Sequence, residues 1–274
     1  MYIRFKDGKA KAFTLSYDDG VVQDIRLIEI FNKYGLKGTF NINSGLYLKE
    51  DEVREKFYGR MKLSEAKDLY IGSGQEVAVH SYSHPFLEQL KEPEMVYEIT
   101  EDRKNLEEQF ETIVRGMAYP MGTYSDAVVR VLKNCGICYS RTTKSTGTFD
   151  LPENWLTLHP TCHHDDPKLM EYAEIFAEDK FPWRRKPLFY VWGHSYEFDG
   201  NDNWERIEKL AEYMSGRENI WYATNIEIYD YVKAYDSLQM SWDKKIITNP
   251  SAIDVWAEDK GELLHIKAGE TIRR

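Results

Sequence analysis

The residues best able to do chemistry fall in a few short clusters. The run Ala12-Phe-Thr-Leu-Ser-Tyr-Asp-Asp-Gly20 ends an apolar, strand-like stretch in two adjacent carboxylates and a glycine. Burying that strand brings Asp18 and Asp19 to the edge of a core, where an unpaired carboxylate is costly. A metal ion would compensate the charge. Downstream, 76–80 reads as a second strand and runs directly into Ser81-Tyr-Ser-His84. Two imidazoles four apart, His80 and His84, plus one carboxylate make a two-histidine, one-carboxylate set with positions open for water and substrate. Taken singly these signals are bland: Asp-Asp-Gly suits an ordinary turn, and a lone histidine at a strand end is usually a hydrogen-bonded core or surface residue. With seven histidines in 274 residues, the two motifs together point to a metal.

The elements that must position these residues alternate along the chain. Strand-like runs at 12–17, 38–43, 76–80, 115–119, 137–141, 155–159, 187–194 and 221–224 are separated by helical patterns. Those patterns lie at 24–34, 64–71, 93–110, 125–134, 167–178, 202–215 and 226–235. Repeated strand–helix units imply an α/β fold with a parallel sheet and right-handed crossovers, and seven or eight of them favour a barrel. Asp18, Asp19, His80, Pro120 and His194 all fall at the C-terminal ends of strands. In a (β/α) barrel that face carries the active site. After residue 235 the pattern changes to short strands broken by turns. The expected organisation is therefore a barrel over 1–235 and a small C-terminal β appendage over 236–274, too short to stand alone.

At this point a family resemblance enters. Thr14-Leu-Ser-Tyr-Asp-Asp-Gly20 resembles the first motif of the polysaccharide deacetylases (carbohydrate esterase family four), and His80-Ser-Tyr-Ser-His84 matches their second. Met117-Ala-Tyr-Pro-Met-Gly122 is similar to the third motif, and Leu188-Phe-Tyr-Val-Trp-Gly-His194 to the last, in the family's order. The resemblance implies a distorted (β/α) barrel and a metal-dependent hydrolase that removes acetyl groups from an N-acetylated sugar or oligosaccharide. It assigns Asp19, His80 and His84 to one divalent metal, with zinc first and cobalt, nickel, manganese or iron as alternatives. Asp18 becomes the general base, His194 the acid for the leaving group, and the Met121 backbone N–H an oxyanion donor. Two departures stand out: Ala118 replaces the usual arginine of the third motif, and Met121 its tyrosine. Arg141, at the end of the next predicted strand, is a substitute cation for the base; a structural arginine is the competing reading.

Other residues are weaker candidates. Trp192 shares a strand face with His194 and would wall an acyl pocket or fill the barrel. Tyr119 and Pro120 in the third motif are expected at the substrate. Trp155, in a weak match to the family's aromatic motif, is expected there too. Cys162-His163-His164-Asp165-Asp166 has metal-site composition, but the first triad suffices, so we read it as a loop with His163 a substrate contact. Cys135-Gly-Ile-Cys138 lacks the helix-N-terminal placement of a redox pair and reads as structural. The segment 199–203 reads as a turn, not a calcium loop.

Composition narrows the partners. A formal charge of −10 argues against nucleic acid or an anionic membrane surface as the main partner. The expected partner is an acetylated carbohydrate, with no nucleic acid and no membrane; the oligomeric state is left open. No apolar leader or spanning run is visible and only three cysteines occur, so a cytoplasmic location is expected. The runner-up activities are an O-acetyl esterase of xylan type or a cyclic-amide hydrolase on the same fold. A non-catalytic carbohydrate-binding relative is the alternative of a different class.

Overall fold

The computed structural model describes residues 1–55, 58–178 and 187–274. Strand β1 (Tyr2–Arg4) precedes β2 (Lys11–Asp18), which runs through α1 (Asp24–Tyr34) to β3 (Gly38–Ile42). Then follow α2 (Leu63–Tyr70), β4 (Glu76–Val79), α3 (Glu92–Phe110), β5 (Gly116–Ala118), α4 (Asp126–Asn134) and β6 (Tyr139–Arg141). The second half holds β7 (Cys162–His163), α5 (Leu169–Ala177), β8 (Leu188–Gly193), α6 (Tyr196–Gly200), α7 (Glu205–Met214), β9 (Ile220–Tyr222) and α8 (Asn225–Asp236).

The parallel strands order as β6-β5-β4-β3-β2-β8-β7, and β9 lies along Lys11–Phe13 of β2. The sheet curls until its edges meet. Cys162 and His163 pair with Val191 and Trp192 of β8, while Leu158, a few residues earlier, bridges in parallel to Arg141 of β6. The architecture is thus an α/β fold with a distorted (β/α) barrel of seven strands.

Here the strand expected at 155–159 is displaced. Trp155–Thr157 is a 3-10 turn whose start is capped by Asn154, Oδ1 accepting the Leu156 N–H at 3.0 Å. Only Leu158 joins β6, and Pro160, which has no N–H, interrupts the ladder before the chain re-pairs at Cys162. His163, read as a loop residue, is therefore on a barrel strand. The helix expected at 202–215 is also preceded by the short α6, which the sequence pattern did not suggest.

Strand alternation divides the barrel into two kinds of surface. Phe13, Leu15 and Tyr17 of β2, Phe40 and Ile42 of β3, Val77 and Val79 of β4, and Phe189 and Val191 of β8 join one apolar core with the helices. The opposite parity is polar and hydrogen-bonds across the interior. Thr14 reaches Asn225, Asn41 Nδ2 donates to Ser16 Oγ at 2.9 Å, and Thr39 Oγ1 donates to Glu76 at 2.8 Å. Tyr139 OH also donates to Glu76, at 2.7 Å, and Asn225 Nδ2 donates to Tyr190 OH. These pairs offset most of the cost of burying the polar interior, although Asn41 Oδ1 and Ser140 Oγ have no partner among the described residues. The top of this polar stack is where Asp18, His80, Arg141 and His194 emerge.

Residues beyond α8 form β10 (Gln239–Met240), β11 (Ile246–Thr248), β12 (Val255–Asp259), β13 (Glu262–Ile266) and β14 (Thr271–Arg273). They build two three-stranded antiparallel sheets, β10-β11-β14 and β1-β12-β13, so the first strand of the chain closes the last sheet. Ile247, Val255, Leu264 and Ile266 bury a small core with Ala234 of α8 and Leu238.

Candidate active site

Asp18 is the last residue of β2 and inherits its inward parity; Asp19 begins the turn, at φ 85, with its N–H donated to Asn41 O. Left-handed backbone is tolerated by Asp better than by most residues. It turns the second carboxylate toward the end of β4, where His80 stands. The following turn, with Ser81 at φ 63 and His84 at φ 60, folds His84 back over His80. Glu98 of α3 holds this turn, accepting the Ser83 N–H and Oγ–H at 2.8 and 2.6 Å.

Three lone pairs converge here. His80 Nε2 and His84 Nε2 are 3.1 Å apart, and each lies 3.8 or 3.7 Å from Asp19 Oδ1. Ligands at about 2.0–2.1 Å around a tetrahedral ion are spaced by roughly 3.3 Å, so these edges are of the right size. The chemistry of the donors fits as well. His80 donates Nδ1–H to Ala118 O at 2.9 Å, which leaves Nε2 bare. Burial carries its pKa down to about 4, against the pull of Asp18 and Asp19. Burial likewise lowers His84. Two neutral imidazoles and a carboxylate are a suitable set for a borderline divalent cation.

Asp18 lies beside that set, its Oδ2 3.9 Å from His80 Nε2, but is held differently. Asn41 Nδ2 donates to its Oδ1 at 2.9 Å, and the Arg141 guanidinium bonds its Oδ2. Burial pushes the Asp18 carboxyl up, but Arg141, then His80 and His194, outweigh it and bring it down to about 2. Arg141 is fully buried and lies over the Trp192 ring, 4.5 Å from its centroid. The cation absent at Ala118 is thus delivered from the next strand, since Ala118 and Arg141 are partners in the β5–β6 ladder.

His194 follows β8, with Nε2 3.9 Å from Asp18 Oδ2 and 4.0 Å from Asp19 Oδ2. Its other side meets a residue the sequence reading missed. Glu197, on the first turn of α6, accepts the His194 N–H at 3.0 Å and lies 3.3 Å from its Nδ1. His163 and His164 Nε2 each approach the same Oε2 at 3.2 Å. Burial works against ionising Glu197, but its histidine contacts hold it far below the usual carboxylate range. For His194 burial is again the largest influence and lowers it, yet Glu197, Asp18 and Asp19 together raise it.

His163, His164, Asp165 and Glu197 have the residue types of a second metal group. However, the Asp165 N–H donates to His163 Nδ1 at 3.1 Å, so the neutral ring carries its proton on Nε2, facing Glu197. That makes Glu197 the shared carboxylate of three imidazoles, within 3.2–3.3 Å of each. His164 is sandwiched between Tyr17 and Phe198 and needs Gly193 beneath it, where a Cβ would sit 2.1 Å from Nδ1.

The remaining candidates scatter. Trp192 is buried beside His163, His194 and Arg141. Met121 is half exposed at φ 56 in the turn after β5. Pro120 is buried in that turn; Tyr119 is buried, stacked on Tyr124, with its OH donated to Leu156 O. Trp155 packs edge-on against Tyr229 of α8 in the second core cluster. Besides Glu197, the sequence reading missed Arg60, which donates to Asp19 O and sits 3.4 Å from Asp19 Oδ1. It also missed Asp102, a carboxylate on the apolar stripe Met95, Ile99, Leu106 of α3, and that misplaced charge was the available signal.

Comparison with known proteins agrees with this fold. The sequence model described as polysaccharide deacetylase matches residues 5–140. No curated protein matches the chain. Among solved structures, a putative polysaccharide deacetylase from Mycobacterium smegmatis superposes with a TM-score of 0.59 at 14% identity, over 86% of this chain and 94% of that one. A family 4 carbohydrate esterase from Streptomyces lividans gives 0.51 at 15%, over 77% and 91%. A family 4 pseudoenzyme from Bacillus anthracis gives 0.51 at 20%, over 84% and 68%. By its sequence match over residues 5–140, the chain belongs to the polysaccharide deacetylase family.

Proposed function

We propose that this protein is a metal-dependent deacetylase acting on an N-acetylated sugar or oligosaccharide. The observation that carries the reading is the convergence of Asp19, His80 and His84, with a separately held carboxylate, Asp18, and an imidazole, His194, on the far side. A divalent ion on the triad, zinc first among the candidates, would supply Lewis-acid polarisation of the acyl carbonyl and acidify water. Everything else falls to the chain. Asp18, kept ionised by Arg141, takes a proton at its carboxylate; His194, held by Glu197, gives one from Nε2 to the departing amine. The Met121 N–H, in the exposed turn after β5, is the backbone donor proposed for the developing oxyanion, and Trp192 walls the acyl group beside Arg141.

Pseudoenzymes in the family make the acid and base informative, since a binding module needs neither. Here both carboxylates and all three imidazoles are present. The three free cysteines support a reducing, cytoplasmic setting; among the described residues no helix is long and apolar enough to cross a membrane. The test is acetate release from N-acetylated and O-acetylated sugars by apo-protein supplied with single divalent metals. Metal-dependent release from an N-acetylated oligosaccharide is expected. Release from O-acetyl xylan alone would transfer the assignment to the esterase reading, and binding of sugars without release would favour the non-catalytic one.

A further inference from the structure

The three proposed ligands come from two separate turns, one carrying Asp19 and one carrying His80 and His84. The ladder ends at the first residue of each turn, with the Asp19 N–H donated to Asn41 O and the His80 N–H to Ile42 O. Both turns are also wound through left-handed backbone at Asp19, Ser81 and His84, a conformation that persists in such residues only where their surroundings hold it.

We propose that Asn43 is the positioning residue that fastens the two turns together and thereby sets metal affinity, although it touches none of the proposed ligand atoms. The inference rests on the metal reading above. Asn43 follows β3, between the two turns, and is 1% exposed. Its Nδ2 donates to His80 O at 2.5 Å and to Ser81 O at 2.9 Å. Its Oδ1 accepts from Arg60 Nη1 at 2.9 Å, and that same Nη1 donates to Asp19 O. One neutral side chain therefore links the backbone carbonyls of both turns, directly on one side and through Arg60 on the other.

The opposite end of the His80 residue is held independently. Asp102 Oδ2 accepts the His80 N–H at 3.0 Å, while Oδ1 accepts the Ser44 N–H at 2.7 Å. His80 is thus gripped at its N–H by Asp102 and Ile42 O and at its C=O by Asn43, while its ring bonds Ala118 O and packs edge-on against His84. Asn43 is the informative member of this set because it carries no charge. Losing Arg60 would change the field at Asp19 as well as the geometry; losing Asn43 changes geometry only. Partners that orient ligands in this way are worth about 10–100-fold in metal affinity.

The test uses the full chain, made metal-free, as wild type, Asn43→Ala and Asn43→Ser. Zinc affinity is read by competition with a chromophoric chelator, ligand geometry by the visible absorption of the cobalt-loaded protein, and thermal midpoint with and without zinc. Asn43→Ala should bind zinc at least tenfold more weakly and shift the cobalt spectrum. Its midpoint should rise less on zinc addition than that of wild type. Asn43→Ser, keeping one donor, should fall between and carries the readout if the alanine variant does not fold. Wild-type affinity and an unchanged cobalt spectrum in a folded variant would overturn the proposal, even with a lower metal-free midpoint. If wild type itself bound no metal, the triad reading would fall and this inference with it.

Discussion

Glu197 grips His194 at two points: Oε2 accepts the backbone N–H at 3.0 Å and stands 3.3 Å from ring Nδ1. A carboxylate at that distance keeps a proton on Nδ1 and so directs Nε2 to the space shared with Asp18 and Asp19. It also favours the imidazolium, the form able to donate.

Replacing Glu197 by Gln removes the negative charge but keeps the shape. His194, held up by Glu197 against burial, should then titrate lower. The acid form is lost at lower pH, so the alkaline limb of kcat/KM should move toward neutrality. Turnover of an amide should fall by about 10²-fold or more, and that of an activated aryl ester much less, since its leaving group departs without a proton. An unmoved alkaline limb in the pH–rate profile would count against this role.

Arg141 and Asp18 form a buried pair, and removing the cation exposes what burial alone does. In Arg141→Met the Asp18 carboxyl should rise well above about 2, because burial, the largest influence on it, is no longer outweighed. The acid limb of activity should shift upward in pH, with turnover recovering as pH rises. Stability should drop by about 3–5 kcal/mol at neutral pH, the usual cost of orphaning a buried charge. Chemical denaturation across pH reads both effects.

Asp24 offers a pH test of stability just beneath the site, where it also feels the charges of Asp19 and Asp18. It is fully buried, bonded by Tyr70 OH and Ser195 Oγ, and burial raises it to about 7 against those two bonds. A carboxyl raised in the fold binds protons that the unfolded chain releases near pH 4. Stability from this group is therefore complete below about pH 4 and is lost as pH climbs to about 7, with a slope of up to about 1.4 kcal/mol per pH unit. Asp24→Asn should flatten the urea midpoint between pH 5 and 7; an unchanged slope would mean that Asp24 is ionised throughout.

Much of this arrangement was legible in the residues. Alternation along β2 separated Thr14, Ser16 and Asp18 from Phe13, Leu15 and Tyr17, and strand ends placed His80 and His194 on the same rim as Asp18. Local patterns failed where long-range packing decided. Segment 155–159 looked like a strand because Trp155, Leu156 and Leu158 are apolar, and 162–166 like a loop, yet the turn capped by Asn154 and the break at Pro160 moved the pairing to Leu158 and Cys162. Nothing local marked Glu197, since its three histidine partners arrive from the ends of β7 and β8. Arg60 lies outside the regular elements, where no periodicity marks a side chain, and Asn43, last in the strand expected at 38–43, falls just past β3, where its partners come from distant turns.

The most direct test of the site is to compare Asp18→Asn with Asp19→Asn, measuring bound metal and amide turnover on the same preparations. Asp19→Asn should lose metal affinity and turnover together. Asp18→Asn should retain a full equivalent of metal while turnover drops by about 10²–10⁴-fold, the usual cost of a missing general base. Equal loss of metal in both variants, or turnover in Asp18→Asn close to wild type, would contradict the assignment of Asp19 to the metal and Asp18 to the proton.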